Sequence, residues 1–232
     1  MTNKIQVDKK VIFLTNNYYK INISEELFID ITVPENHCSK LIIIGSHDYK
    51  INFLLEKNSE LKVYSLNKNN SVDIRVLLKE NSKVTYHHSV ACEEISDNTF
   101  EIIHQENNSS SYLYNNGINL CKGKLFFRID GKISKNLEKI ICNQASQIIN
   151  FNDGNSKIIP NLIIDSNDII ANHSSYIGNI NDEVSFYLES RGIRKEEIRK
   201  LIFKAVLLGK MELDSEKDDF NKIINEWGGL NE

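Results

Sequence analysis

The chain has 232 residues, of which 41% are hydrophobic and 26% charged, and its formal net charge is −4. This size and composition fit a soluble folded protein, either one elongated domain or a domain with an appendage. The basic residues are scattered, which excludes the concentrated positive patch that binds a nucleic-acid backbone. There is no apolar run of about 18 residues and no basic and apolar leader, so we expect a cytoplasmic protein.

Short apolar segments rich in Ile, Val, Phe and Tyr recur from Val11 to Ile129, about every 10 to 15 residues, with turn-forming residues between them. This rhythm predicts many short β-strands. The predicted strands are Val11–Leu14, Ile21–Ile23, Leu27–Val33, Leu41–Ile44, Ile51–Leu55, Leu61–Ser65, Val72–Leu78, Val84–Val90, Phe100–His104, Tyr112–Tyr114 and Leu125–Ile129.

Two β architectures have strands at this spacing. One is a sandwich, and the other is a solenoid in which each coil stacks on the one before it. The rhythm alone does not separate them. A left-handed helix of hexapeptide repeats is disfavoured, because the chain has only ten glycines and no six-residue apolar repeat.

Downstream of Asn181 the apolar residues recur at three- and four-residue spacing, which predicts helices. Asn181 is suited to cap the first helix, and Gly192 is placed to end it in a left-handed conformation. A second helix follows, with a predicted buried stripe that consists of Ile198, Leu201, Ile202, Ala205 and Leu208.

A third helix is predicted from Ser215 to Trp227, since Ser215 and Asp218 approximate a capping box. Its apolar stripe of Phe220, Ile223, Ile224 and Trp227 is typical of packing against the rest of the chain. Tryptophan also anchors many interfaces, so a partner surface is the alternative.

Two segments of this C-terminal half carry a recognisable pattern. They read His173-Ser174-Ser175-Tyr176-Ile177-Gly178 and Phe186-Tyr187-Leu188-Glu189-Ser190-Arg191-Gly192-Ile193. Their order and spacing resemble the C-terminal signature of the SufB/SufD family, the subunits that assemble iron–sulfur clusters together with the ATPase SufC. The resemblance extends back through Pro160 and Gln144 to Leu125. It implies a right-handed parallel β-helix core over residues 1–180 and a C-terminal helical region over residues 181–232.

The resemblance also implies partners. The family docks SufC through its C-terminal helical region, which corresponds here to Phe186, Tyr187, Arg191, Gly192, Ile193, Ile198, Ile202 and Ala205. The alternative for the apolar members is intramolecular packing. For Arg191 the alternative is a bond to the carbonyls of its own helix. The β-helix would pair with a SufB-like chain or with a second copy of itself.

This chain has fewer candidate metal ligands than SufB-type chains. The cysteine that those chains carry after a glutamine corresponds to Ala145, and the glutamate after the motif histidine corresponds to Ser174. Both departures indicate a SufD-like chain. His173 matches the motif histidine and is a candidate ligand at a cluster-assembly interface. Cys142 lies three residues before Ala145, so in a strand it faces the opposite side and is a poor substitute.

The sequence therefore predicts a non-catalytic subunit. No phosphate-binding loop of the G-x-x-x-x-G-K-[ST] type is present, so ATP hydrolysis would belong to SufC. No cofactor is expected to be held stably by this chain alone, although a transient iron–sulfur cluster would form at a dimer interface. Two alternatives stay open, a structural β-solenoid without a metal role and, less favoured, a carbohydrate-active β-helix enzyme.

Overall fold

The computed structural model describes residues 2–4, 11–15, 17–120, 122–151, 154–180, 182–209, 211–213 and 217–228. These residues form fifteen strands followed by three helices. The strands are β1 (Thr2–Lys4), β2 (Val11–Phe13), β3 (Tyr18–Ile23), β4 (Leu27–Val33), β5 (Cys38–Gly45), β6 (Tyr49–Leu55), β7 (Glu60–Lys68), β8 (Val72–Leu78), β9 (Lys83–Cys92), β10 (Ile95–His104), β11 (Ser110–Asn119), β12 (Lys124–Ile133), β13 (Glu138–Asn150), β14 (Asn155–Ile164) and β15 (Asp168–Asn179). The helices are α1 (Asp182–Ser190), α2 (Lys195–Leu208) and α3 (Lys217–Gly228).

The strands alternate between two parallel sheets. The odd-numbered strands form an eight-stranded sheet in the order β1-β3-β5-β7-β9-β11-β13-β15, and the even-numbered strands form a seven-stranded sheet from β14 to β2. Each coil therefore contributes one strand to each sheet, and each strand pairs in parallel with its counterpart in the next coil. The coil lengthens from 22 residues near Asn36 to 31 residues near Asn116. This arrangement is a parallel β-solenoid, so that prediction is confirmed and the sandwich is excluded.

Alternate side chains of the strands from β3 to β13 point into the space between the two sheets. Ile29, Ile51 and Ile74 occupy the same register position on β4, β6 and β8, and all three are fully buried. Since one buried isoleucine contributes about 1.5 to 3 kcal/mol, each such row stabilises the stacking of coils. Phe53 and Phe100 also meet the ring of Tyr86 edge to face at 6.2 and 5.6 Å.

Each coil turns at an asparagine in the left-handed conformation. Asn36, Asn58, Asn81, Asn108 and Asn136 have φ between 55° and 61°. Asparagine adopts this conformation more readily than other residues with a side chain. The side chains also form a ladder, because Asn58 Nδ2 donates to Asn36 Oδ1 at 2.9 Å and Asn81 Nδ2 donates to Asn58 Oδ1 at 2.7 Å. The turns are thus tied together from coil to coil.

Helices α2 and α3 lie along the outer face of the eight-stranded sheet. Phe203 and Leu207 of α2 and Phe220 and Ile224 of α3 pack with outward-facing residues of the sheet, and all four are buried. Trp227 packs against the same cluster, as the packing interpretation predicted. The helices therefore flank the solenoid. No helix among the described residues is long and apolar enough to cross a membrane.

The predicted buried stripe of α2 is partly wrong. Ile198 is buried, but Leu201 is 51% exposed, Ala205 is exposed, and Ile202 is half-buried. The buried face is set by Phe203 and Leu207, which lie one to two positions further along the helix. The proposed caps at Asn181 and Ser215 lie outside the described residues.

Candidate partner-binding and cluster-assembly site

The interior of the solenoid is open at its C-terminal end. Ile164 of β14 and Ile177 of β15 continue the inward-facing rows of Ile133 and Ile148. The earlier members of these rows are buried, whereas Ile164 is 40% and Ile177 is 42% exposed. Sequence reasoning missed these two residues. Their signal would have been the continuation of a buried apolar row into the last strand of each sheet.

The two terminal strands differ in their capacity to accept another strand. β15 has one neighbour in its sheet, β13, so the backbone groups along the other edge of Asp168–Asn179 have no partner strand among the described residues. Such an edge is a template for pairing with another chain. β14 carries Pro160, which lacks an amide hydrogen and is typical of edge strands. The longer edge without a proline is therefore that of β15.

His173 lies on β15, where its side chain is exposed. It pairs in register with Gln144 of β13, and parallel partners point to the same side of a sheet, so His173 is on the inward-facing side. Cys142 is buried on that side, whereas Ala145 is on the outer face opposite Ser174. The prediction that Cys142 faces away from Ala145 is confirmed.

Metal ligands do not converge within the described part of the chain. There, no three His, Cys, Asp or Glu side chains are placed to hold a metal ion. A ligand role for His173 therefore stays a prediction, and it would need additional groups from a partner.

The cysteines differ in exposure. Cys92 and Cys142 are buried, whereas Cys38 is exposed. Burial raises the pKa of the Cys92 thiol to about 11 and also raises that of Cys142. Both buried thiols are therefore protonated at neutral pH, whereas the thiolate is the metal-binding form. Cys121 lies outside the described residues.

α1 presents an apolar surface away from the core. Phe186 is 74% and Tyr187 is 54% exposed. The guanidinium of Arg191 lies 4.9 Å from the centre of the Tyr187 ring and forms a cation–π contact with one face of that ring. Gly192 ends the helix with φ of 85°, as predicted, and its amide donates to the carbonyl of Glu189 at 2.9 Å. Ile193 is half-buried, and its amide bonds the carbonyl of Leu188.

The residues of α2 divide between packing and exposure. Ile198 is 3% exposed and packs within the chain, as the alternative interpretation held. Leu201 and Ala205 are exposed, and Ile202 is half-buried. We define the exposed helical surface as Phe186, Tyr187, Arg191, Leu201 and Ala205. Leu201 was assigned to the buried stripe by sequence, and the structure places it on this surface.

Two histidines lie inside the solenoid. His88 is fully buried, its Nδ1 lies 3.0 Å from Ser65 Oγ, and its ring meets Phe100 edge to face. His104 is also fully buried between the hydroxyls of Ser109 and Ser111, at 2.8 and 2.9 Å. Desolvation lowers the pKa of His88 to about 3 and that of His104 to about 4, so both are neutral near pH 7.

His87 faces the opposite way from His88, as the alternation of a strand predicts. On the outer face its ring stacks between Tyr64 and Tyr114, with centroids 5.0 and 4.7 Å away. The two adjacent histidines therefore belong to separate environments and do not form one site.

Comparisons with known proteins give a consistent result. The family model described as "SUF system FeS cluster assembly, SufBD core domain" matches residues 47–206. The iron–sulfur cluster assembly protein SufD of Bacillus subtilis (strain 168) is 27% identical over 136 residues, which cover 57% of this chain and 31% of that protein. An iron–sulfur cluster assembly SufBD family protein of Mycobacterium leprae (strain TN) is 45% identical over 47 residues, which cover 20% of this chain and 12% of that protein. The matches thus span less than a third of the length of either relative.

Proposed function

The chain belongs to the SufB/SufD family of the SUF system for iron–sulfur cluster assembly, and on this premise we propose that it is a SufD-like, non-catalytic subunit of an assembly complex. The similarity to a SufD protein supports the SufD-like assignment. Ala145 and Ser174 support it too, because they stand where SufB-type chains carry a cysteine and a glutamate. We place the complex in the cytoplasm.

The β15 edge and the open interior are the proposed pairing surface. Ile164 and Ile177 are apolar, inward-facing and about two-fifths exposed, which is the single observation that carries this proposal. A SufB-like chain or a second copy of this chain would cover them and add strands to the edge of β15. Iron and sulfide are the cargo of such an interface, and His173 would contribute an imidazole to it.

The exposed helical surface is the proposed docking site for a SufC-type ATPase. Phe186 is the most exposed large apolar side chain in the described part of the chain, and Tyr187 of α1 and Leu201 of α2 are each more than half exposed. Exposed aromatic residues next to an arginine are typical of the centre of a protein interface. Ile198 is excluded from direct contact, because its side chain is already buried within the subunit.

Contacts between α2 and the eight-stranded sheet would transmit a movement of the helices to the β-solenoid. The hydroxyl of Ser89 on β9 donates to the carbonyl of Leu207 in α2 at 2.6 Å, and Phe203 packs in the same cluster as Ile118 of β11. We propose that ATP-driven closure of two ATPase subunits moves the helices and rearranges the paired β-edges near His173. A purely structural solenoid would undergo no such change.

Phe186→Asp tests the docking site. Replacing this exposed ring by a carboxylate should abolish co-purification of the SufC-type ATPase and leave the melting temperature unchanged, because the ring makes few contacts within the chain. Arg191→Asp should act in the same way, since it removes the cation over Tyr187. Phe28→Asp is the matched control, because Phe28 is 56% exposed on the seven-stranded sheet. Retained co-purification by both helical variants would refute the docking assignment.

A further inference from the structure

A polar pocket of about 430 Å³ lies on the outer face of the eight-stranded sheet. Its floor includes Tyr64, His87 and Tyr114, whose stacked rings run across β7, β9 and β11. Such a stack restricts the middle ring, because His87 is held between the two tyrosines. The volume is within the range of small-molecule sites, about 300 to 1,000 Å³.

Two lysines line this pocket. Lys62 is on β7 and Lys83 is on β9, and both reach it from the sheet. Thr85 pairs in register with Lys62 and adds a hydroxyl to the lining. Ammonium and hydroxyl groups on a rigid floor are suited to donate hydrogen bonds to an anion.

One carboxylate of the chain, that of Glu212, already lies near Lys62. Glu212, in the connection between α2 and α3, lies 3.9 Å from the ammonium of Lys62, beyond hydrogen-bond distance. Its side chain is 85% exposed, so the pair contributes little to stability. The ammonium of Lys83 forms an ion pair with the carboxylate of Glu60 on β7, at 3.2 Å.

We propose that this pocket binds the phosphate group of a small molecule, which displaces Glu212 from Lys62. A phosphate dianion carries more charge than the Glu212 carboxylate that it replaces, so it attracts the Lys62 ammonium more strongly. Lys83 keeps its ion pair with Glu60. The ligand would contact Lys62, Lys83 and Thr85 and rest on the edges of the Tyr64–His87–Tyr114 stack. Glu212 then acts as a tethered competitor, and its carboxylate would move away from Lys62 on binding. The inference does not depend on the proposed subunit role.

Titration calorimetry of the whole chain with inorganic pyrophosphate, in a buffer free of phosphate, tests this site. We expect saturable binding with one site per chain, weakened by added salt. Lys62→Gln and Lys83→Gln should each lower the affinity at least about tenfold, since each removes a charge-assisted hydrogen bond. Glu212→Gln should raise it about two- to fivefold, because it removes the competing carboxylate.

Matched controls separate this site from general surface charge. Lys50→Gln changes the net charge by the same amount as Lys62→Gln, but Lys50 lies on the seven-stranded sheet, paired with Asp73. Glu226→Gln on α3 is the corresponding control for Glu212→Gln. Both should leave the affinity within about twofold. The proposal is overturned if pyrophosphate shows no saturable binding, if Lys50→Gln weakens binding as much as Lys62→Gln, or if citrate binds as tightly as pyrophosphate. Glu212→Gln keeps the test valid even if a lysine variant unfolds, since it predicts a gain.

Discussion

Acidification should destabilise the solenoid through the two histidines that are buried in its interior, His88 and His104. In the folded chain the pKa of His88 is about 3 and that of His104 is about 4, compared with 6.5 for an unperturbed histidine. Both pKa values are lowered, so the unfolded chain binds more protons than the folded one below pH 6.5. The stability from keeping these rings neutral is complete above pH 6.5 and is lost as the pH falls toward 4 and 3.

The magnitude follows from proton linkage. One histidine that titrates at 6.5 in the unfolded chain and stays neutral in the folded chain costs about 2 kcal/mol at pH 5. Two such residues therefore lower the free energy of unfolding by about 4 kcal/mol between pH 7.5 and 5. This is a large fraction of the 5 to 15 kcal/mol that stabilises a typical domain.

Urea denaturation followed by circular dichroism at a series of pH values measures this effect. Near pH 5 the two rings together should contribute a fall in the free energy of unfolding of about 2.5 kcal/mol per pH unit. His88→Gln or His104→Gln should halve that slope, even where the variant is less stable at pH 7.5. His47→Gln is the control and should keep the full slope, because His47 is exposed. An unchanged slope in both interior variants would refute the assignment of acid sensitivity to these rings.

Two further predictions concern the packing of the coils. Asn58→Ala should lower the free energy of unfolding by about 1 to 2 kcal/mol in urea denaturation. The substitution removes the hydrogen bond to Asn36 and places alanine at φ of 57°. Asn17→Ala is the control and should have a smaller effect, because Asn17 is not among the left-handed positions. Gly117→Ala should lower the free energy of unfolding by about 1 to 3 kcal/mol in the same assay, because the added methyl would lie 2.6 Å from Leu125 Cδ2. A Gly117→Ala variant as stable as the original chain would show that the interior relaxes around this position.

Many of the strands were predictable from the sequence because they are short runs rich in Ile, Val, Phe and Tyr that lie between turn-forming residues. Leu27–Val33 and Val72–Leu78 were predicted with the observed bounds. The choice between sandwich and solenoid was not available from strand rhythm and came from the family resemblance. A local repeat would have supplied it, since Asn58-Ser59, Asn81-Ser82 and Asn108-Ser109 each end a turn before a strand of the eight-stranded sheet.

The helical surface was harder to predict because α2 has apolar residues on more than one side. Its spacing fits a stripe through Leu201 and Ala205 as well as one through Phe203 and Leu207. Only the contact of Phe203 and Leu207 with the sheet selects between them. The exposed Ile164 and Ile177 become recognisable only once the rows of Ile133 and Ile148 are known, because exposure depends on their place in the last strand of each sheet.

Native mass spectrometry of this chain co-expressed with the SufB-like and SufC-like proteins of its own genome tests the central claim most directly. The account predicts an assembly with one copy of each β-solenoid chain and two ATPases, or a homodimer of this chain with two ATPases. Ile177→Asp should remove the pairing of the solenoid chains and leave the ATPase bound. If this chain binds neither protein, the SufD-like assignment is contradicted and His173 is an ordinary surface histidine.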